Sequence, residues 1–248
     1  MVSIFRNGVS HLLVLVIIAF TSYSTAIAQV DFTNNEGQFI ADNPGLAFQD
    51  FSAAQATAGT FIFCVSPINQ NTDDNCFNPG DILPGIQFNP VPLVFNELSV
   101  AGADFVVGNN PANILFTTSF DTEMDIEFSQ AIAVGLTLGC LGGVGVCNTT
   151  MLVSVFGDND IPLGSTNVPV TDLTNSFLGI TSQGTITRIS LETTVAGISS
   201  ALLNVRFGEK IEIEPQPIPT LSEWGLIAMA GVLGIVGFMV IRRRKVTA

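Results

Sequence analysis

Residues 121–128 read DTEMDIEF, a stretch with the alternating pattern of a β-strand. Apolar side chains, Met124, Ile126 and Phe128, alternate with polar ones along it. A period of two residues is typical of a β-strand that buries one face and exposes the other. We therefore predict a half-buried strand whose solvated face is acidic. The acidic positions are Asp121, Glu123, Asp125 and Glu127.

The surrounding residues repeat this strand signal at short intervals. Valine, isoleucine, threonine and phenylalanine are frequent there, and segments with helix-forming composition are few. The predicted strands are residues 60–65, 113–119, 121–128, 131–138, 151–156, 161–168, 176–181, 185–192 and 201–207. Gly157, Asp158, Asn159 and Asp160 separate two of them and predict a hairpin turn. Many short strands with regular turns predict an all-β, two-sheet β-sandwich, with phenylalanines filling the space between the sheets.

One helix is predicted near the start of this region, at residues 34–41. Asn34 or Asn35 provides a side chain that caps the first turn. Asn43, Pro44 and Gly45 then end the helix, because proline cannot continue it and glycine favours a turn.

The N-terminus predicts export. A basic residue, Arg6, precedes an apolar run at 12–20, and small residues at 26 and 28 form a signal-peptidase site. We predict a signal peptide at 1–28, cleaved after Ala28, with the Sec translocon and signal peptidase as partners; an uncleaved signal anchor is the alternative. The predicted ectodomain is then 29–216, long enough for one sizeable core.

Cleavage removes the only histidine, His11, from the chain. The ectodomain also has no tyrosine or tryptophan, and its only basic residues are Arg188, Arg206 and Lys210. A serine or cysteine nucleophile activated by histidine is therefore excluded. The chain carries a formal net charge of −13, and such an acidic surface repels nucleic acid.

All the cysteines, Cys64, Cys76, Cys140 and Cys147, lie in the exported part. An even number of cysteines outside the cytoplasm favours disulfides. Three pairings are possible, and we predict Cys64–Cys76 and Cys140–Cys147 because both intervals are rich in turn-forming residues. A metal site is the alternative, but neither a Cys-x-x-Cys spacing nor a histidine supports it.

The C-terminal segment, 217–248, has three parts. Residues 218–225 read IPTLSEWG, residues 224–241 carry no charge, and a basic cluster follows. The uncharged run is close to the ~17–25 residues that cross a bilayer as a helix, and the basic cluster indicates a cytoplasmic C-terminus. We predict a single-pass precursor in the inner membrane, with the ectodomain outside. The motif residues are Ile218, Pro219, Thr220, Leu221, Trp224 and Gly225, and the stop-transfer residues are Arg242, Arg243, Arg244 and Lys245.

This combination of motif, apolar run and terminal basic cluster resembles the IPTL-CTERM sorting domain, a relative of PEP-CTERM signals. The resemblance implies cleavage near the motif by a membrane protease of the exosortase family, and transfer of the ectodomain to the cell surface or extracellular space. A plain membrane anchor is the alternative. Residues 126–138, 152–157 and 177–189 also resemble secreted jelly-roll modules of the carbohydrate-binding type, which implies polysaccharide as a ligand.

Two kinds of chemistry remain open for the ectodomain. No cofactor is predicted, but calcium favours clustered carboxylates, and the candidate ligands are Asp73 with Asp74 and Asp158 with Asp160. Two carboxylates also suffice for glycoside hydrolysis, although a row of acids on one strand is more often a solvated face.

The sequence therefore predicts an exported, non-enzymatic protein of the bacterial cell surface or biofilm matrix, with a structural or adhesive role. A carbohydrate-binding module is the first alternative, and a carboxylate-based glycan hydrolase is the second.

Overall fold

A computed structural model of the chain describes residues 30–92, 97–105, 112–119, 123–142, 147–171, 176–209 and 221–244. The chain divides into two compact units, Met1–Lys210 and Ile211–Ala248. The described residues of the first unit form a helix, α1 (Glu36–Asp42), a short 3-10 helix (Asp158–Asp160) and eleven strands. The strands are β1 Val30–Thr33, β2 Ala47–Asp50, β3 Phe61–Cys64, β4 Ile86–Val91, β5 Leu98–Ala101, β6 Ile114–Thr117, β7 Glu123–Gly142, β8 Asn148–Phe156, β9 Pro162–Thr171, β10 Ser176–Thr193 and β11 Ile198–Gly208.

Two long strands, β7 and β10, organise this unit. The first part of β7 pairs with β4 and with the end of β10, whereas its second part pairs with β11 and the start of β10. The register between β7 and β10 shifts between Thr181 and Ile186 and again before Arg188. The prediction of separate strands at 121–128 and 131–138, and at 176–181 and 185–192, was therefore wrong: each pair belongs to one strand that continues through an irregularity.

The change of partners along β7 and β10 produces two layers. We assign the strands to layers by this pairing: β4, β8 and β9 belong with the first part of β7, and β1, β2, β3, β5, β6 and β11 belong with its second part. Phe88 and Val153 of the first layer belong to the same fully buried cluster as Leu136 and Val205 of the second. A core shared by both layers is the arrangement of a β-sandwich. The predicted all-β sandwich is confirmed, with all its strands joined in one antiparallel sheet.

Helix α1 forms where the sequence predicts a helix. The Asn35 side chain caps it by accepting a hydrogen bond of 3.0 Å from the Gln38 N–H. At the other end the backbone N–H of Asn43 donates to the carbonyl of Phe39. Phe39 is the buried residue of α1, so this short helix is held by one aromatic side chain and a cap at each end.

Both predicted disulfides are present. Cys64 bonds to Cys76 and Cys140 bonds to Cys147, and no described cysteine is free. Asp74 shapes the first disulfide loop, because its carboxylate accepts hydrogen bonds from the backbone N–H groups of Val65, Cys76 and Phe77. The pairing by short sequence separation is confirmed.

The described part of the second unit is one helix, α2 (Leu221–Arg244). It contains Leu221, Trp224 and Gly225 of the predicted motif and three of the predicted stop-transfer arginines. Among the described residues, no helix is both long and apolar enough to cross a membrane. The transmembrane assignment of 224–241 stays a prediction. The signal peptide 1–28 and the residues Ile218, Pro219, Thr220 and Lys245 lie outside the described residues.

Candidate functional site: a polar sheet face

The outer side of β4, β7, β10 and β8 presents polar side chains in register. Pairing places Gln87 opposite Glu127, Glu127 opposite Arg188 and Arg188 opposite Phe156. A second row lies two residues further along each strand. It contains Asn89, Asp125, Ser190 and Ser154. Because neighbouring strands lie about 4.8 Å apart, each row spans about 14 Å. We call this surface the polar face, and its members are Gln87, Asn89, Glu123, Asp125, Glu127, Ser154, Phe156, Arg188 and Ser190.

On the β4 side of the polar face, side-chain amides and a carboxylate are joined by hydrogen bonds. The Gln87 Nε2 donates to Glu127 Oε2 at 3.3 Å and to Asn89 Oδ1 at 3.2 Å. The Gln87 Oε1 accepts a hydrogen bond of 3.1 Å from Asn69 Nδ2. These hydrogen bonds hold the side-chain amides of Gln87 and Asn89 in place, and Asn89 is also only 7% exposed.

Arg188 is the centre of the β10 side. Its guanidinium donates to Asp125 at 3.2 Å and to Asp160 at 3.1 Å, and its Cζ lies 3.8 Å from the centre of the Phe156 ring. The side chains of Arg188 and Asp125 are 23% and 13% exposed, whereas that of Asp160 is 74% exposed. The half-buried pair with Asp125 therefore fixes the guanidinium more firmly than the exposed pair does.

The hairpin between β8 and β9 brings Asp160 to this surface. Asn159 and Asp160 both have left-handed backbone conformations, with φ of 58° and 56°. Asparagine and aspartate tolerate this conformation better than other non-glycine residues, as hairpin turns require. The predicted turn at 157–160 is confirmed, since β8 and β9 pair antiparallel on either side of it.

Two adjoining depressions run along the polar face and share Glu127 and Phe128. The larger has a volume of about 680 Å³ and lies between Asp125, Arg188 and the hairpin turn. The smaller, of about 340 Å³, lies between Gln87 and the loop at 69–71. Together they form a shallow groove with amide, carboxylate and guanidinium groups along its length.

The polar face combines residues that the sequence analysis considered separately. Asp125 and Glu127 of the acidic row lie in the larger depression with Asp158 and Asp160 of the hairpin turn. Glu123 accepts a hydrogen bond from the Ser190 hydroxyl at 3.2 Å. Asp121 lies outside the described residues.

The calcium candidates are already engaged or are exposed. Asp74 holds the first disulfide loop and Asp160 pairs with Arg188, whereas Asp73 and Asp158 are exposed. The described residues contain no group of three or more histidine, cysteine, aspartate or glutamate side chains arranged to hold a metal ion. Calcium binding at either aspartate pair stays a prediction.

Gln87, Asn89 and Arg188 are the site residues that the sequence analysis missed. Gln87 and Asn89 alternate with apolar neighbours in IQFNPV, which is a strand signal, but Pro90 argues against a strand interior. β4 pairs with β7 alone among the described strands, and at such a position proline is tolerated. Arg188 could have been singled out, because it is one of only three basic residues in the predicted ectodomain.

Comparison with known proteins identifies the C-terminal segment. Residues 216–245 match the family model of the IPTL-CTERM motif. The predicted resemblance is therefore confirmed over the C-terminal segment, which contains all the predicted motif and stop-transfer residues. No curated protein matches the chain.

Solved structures similar to this chain include sugar-binding modules. The lectin domain of lectinolysin, complexed with Lewis b antigen, is 12% identical over 39% of this chain and 71% of its own, with a TM-score of 0.30. A Streptococcus pneumoniae fucose-binding module is 10% identical over 38% and 68%, with a TM-score of 0.28. The family 32 carbohydrate-binding module of C. perfringens NanJ, in complex with galactose, is 12% identical over 49% and 99%, with a TM-score of 0.26. Similarity at this level carries no argument about the ligand of this chain.

Proposed function

We propose that this chain is an exported surface protein that binds a glycan across the polar face and has no catalytic activity. The observation that carries the proposal is the row Gln87, Glu127 and Arg188, which places an amide, a carboxylate and a guanidinium side by side on three strands. Such groups donate to and accept from neighbouring hydroxyls, which sugars offer in pairs. Because other side chains already hold these groups, binding would lose little side-chain entropy.

The composition of the polar face favours a glycan over a protein partner. Protein interfaces are centred on buried aromatic or aliphatic anchors. The polar groups that line the two depressions are amides, carboxylates and hydroxyls, and the guanidinium of Arg188 covers the Phe156 ring. Asp125, Glu127, Asp158 and Asp160 outnumber the single guanidinium, so acidic polysaccharides would be repelled. The ligand class is a neutral or amino-sugar polysaccharide.

We predict that Glu127→Ala weakens polysaccharide binding at least about tenfold, because a hydrogen bond to a charged group contributes about 1.5–3 kcal/mol, and that Gln87→Ala weakens it about 3–10-fold, because a neutral hydrogen bond contributes about 0.5–1.5 kcal/mol. The measurement is affinity electrophoresis of the purified chain through gels that contain a neutral glucan, a galactan, chitosan or alginate. Alginate, the acidic polymer, should not retard the chain. The control is Asp104→Asn, which removes a carboxylate away from the groove at a left-handed position (φ 60°) that asparagine tolerates. Equal retardation of the wild type and both groove variants would exclude this surface as the site.

For the C-terminal segment we propose sorting by an exosortase-type protease. The IPTL-CTERM match supports a sorting role. Pro219 restricts its own φ and favours an extended conformation at Ile218, and an extended segment exposes the scissile carbonyl that a helix would engage. The uncharged residues 224–241 and the basic cluster would hold the precursor in the inner membrane until cleavage. The two disulfides agree with an oxidising compartment outside the cytoplasm.

The sorting proposal predicts that the mature surface form lacks residues 224–248. Replacing Pro219 and Thr220 with alanine should leave the full-length chain in the inner membrane, because the apolar length is unchanged. Intact-mass measurement of the surface fraction and the membrane fraction decides between sorting and a plain anchor. A wild-type surface form that still carries its arginine-rich tail would show that the segment is an anchor only.

A further inference from the structure

A separate cavity of about 460 Å³ lies between α1, β1 and β10. It shares no lining residue with the two depressions of the polar face. Its volume falls within the ~300–1,000 Å³ typical of small-molecule sites. The apolar part of its lining is Phe32, Phe39 and Ile132, and the polar part includes Asp31, Gln38, Asp42, Asn43 and Gln183.

Two glycines let α1, which forms one wall of this cavity, lie close to the sheet. A Cβ on Gly135 would sit 2.9 Å from Phe39 Cε1, and one on Gly179 would sit 2.8 Å from Phe39 Cγ. The Phe39 ring occupies that space and packs against Phe177, with ring centres 5.5 Å apart. Because both ends of α1 are also capped, the wall of the cavity is held in place before any ligand binds.

The lining of the cavity includes one largely buried amide. Asn43 is only 4% exposed, and its Nδ2 donates to the Phe39 carbonyl at 2.9 Å. Its Oδ1 accepts no hydrogen bond from any residue that the structure describes, and it is not among the fully buried atoms without a partner, so solvent reaches it. A ligand hydroxyl in the cavity would donate to this oxygen in place of water.

The remaining polar groups extend this pattern of acceptors. Gln38 Nε2 donates to Asp42 Oδ1 at 2.8 Å, which orients the amide and leaves Gln38 Oε1 and Asp42 Oδ2 available as acceptors. Asp31 and Asp42 are the charged residues of the lining, which contains no basic side chain among the described residues. The cavity therefore suits a ligand that donates several hydrogen bonds, has an apolar face and carries no negative charge.

We infer that this cavity is a second binding site, for one neutral sugar unit whose hydroxyls donate to Asn43, Asp42 and Gln38. The apolar ring face of the sugar would lie on Phe32 and Ile132, as sugar and small-molecule sites generally combine an apolar surface with a few polar groups. This inference goes beyond the function proposed for the polar face, since it concerns a different cavity and a ligand of mono- or disaccharide size.

Isothermal titration of the purified full chain with galactose, glucose, N-acetylglucosamine and glucuronate tests this site. At least one neutral sugar should bind and glucuronate should not. Gln38→Ala should weaken the binding of that sugar about 3–10-fold, the range expected for one hydrogen bond. Asp31→Asn combined with Asp42→Asn should admit glucuronate, because the repulsion is removed while side-chain shape is kept.

Glu127→Ala on the polar face is the matched control and should leave sugar binding at the cavity unchanged. Loss of polysaccharide retardation in Glu127→Ala with sugar binding intact would support two independent sites. If none of the neutral sugars binds the wild type at millimolar concentration, or if the Gln38 variant binds as tightly as the wild type, the cavity is not a sugar site. Glycan binding by the polar face would still be tested separately by affinity electrophoresis.

Discussion

Replacing Phe88 with alanine should lower the free energy of unfolding by about 3–5 kcal/mol, the usual cost of removing a buried phenylalanine. Phe88 is fully buried, and its ring centre lies 5.6 Å from that of Phe51. Its backbone also exchanges two hydrogen bonds with Ile68, at 2.9 and 3.0 Å. The cavity left by the ring would lie in the core that both layers share, where neighbouring side chains cannot collapse without moving a strand.

Urea denaturation measures the effect of Phe88→Ala. The matched control is Phe63→Ala, because Phe63 is 51% exposed on β3 and its removal opens no internal cavity. The control should cost less than about 1 kcal/mol, as surface substitutions usually do. Equal losses in the two variants would mean that Phe88 does not occupy the centre of a common core.

Gly179→Ala should be the next most damaging change, costing about 1–3 kcal/mol through overpacking. The new Cβ would clash with Phe39 Cδ2 and would sit 2.8 Å from both Phe39 Cγ and Thr33 Cγ2. These atoms belong to the base of the Phe39 ring and to β1, so relief requires α1 or β1 to shift. The shift would also deform the cavity beside α1, and sugar binding there should weaken with stability.

The control for Gly179→Ala is Gly164→Ala in β9. A Cβ at Gly164 would have its nearest neighbours at 3.7 Å, which is ordinary contact distance. Thermal unfolding should separate the two variants, with a lower Tm for Gly179→Ala and little change for Gly164→Ala. Similar Tm values for both would show that α1 does not pack on Gly179 as described.

Local features of the fold were predictable from the sequence. Helix α1 and the turn at 157–160 both depend on residues close in sequence. Asn35 caps the helix. Asn159 and Asp160 adopt the left-handed backbone conformation that the turn requires. The disulfide pairing followed from short intervals rich in turn-forming residues. The alternation of acidic and apolar residues in the first part of β7 was also predictable, and its apolar residues, Met124, Ile126 and Phe128, are all buried.

The continuity of β7 and β10 was not predictable in the same way. A short polar segment, Ser129 and Gln130, interrupts the apolar pattern of β7, and another, residues 182–184, interrupts that of β10. Short polar segments of this kind are typical of turns, but here they mark the places where a strand changes partners and layer. Only tertiary pairing distinguishes the two cases. The four-residue strands β1, β2 and β5 were missed, whereas β3 and β6, which are equally short, were predicted within the segments 60–65 and 113–119.

The polar face was predictable only as separate pieces. The acidic row suggested a solvated surface and the hairpin turn suggested a weak calcium site, whereas Arg188 lies 28 residues from Asp160 and 63 from Asp125 in sequence. Their meeting depends on the register of β10 against both β7 and β8, in which one residue of slip would turn Arg188 inward. No local pattern fixes that register.

The most direct test of glycan binding is a map of backbone amide chemical-shift changes in the isotope-labelled chain. The titrant is an oligosaccharide of the polymer that most strongly retards the chain in affinity electrophoresis. We expect changes concentrated at residues 87–89, 125–127 and 188–190, with little change in β3 or β5. Changes confined to other strands, or none at saturating oligosaccharide, would contradict the assignment of the polar face as the glycan site.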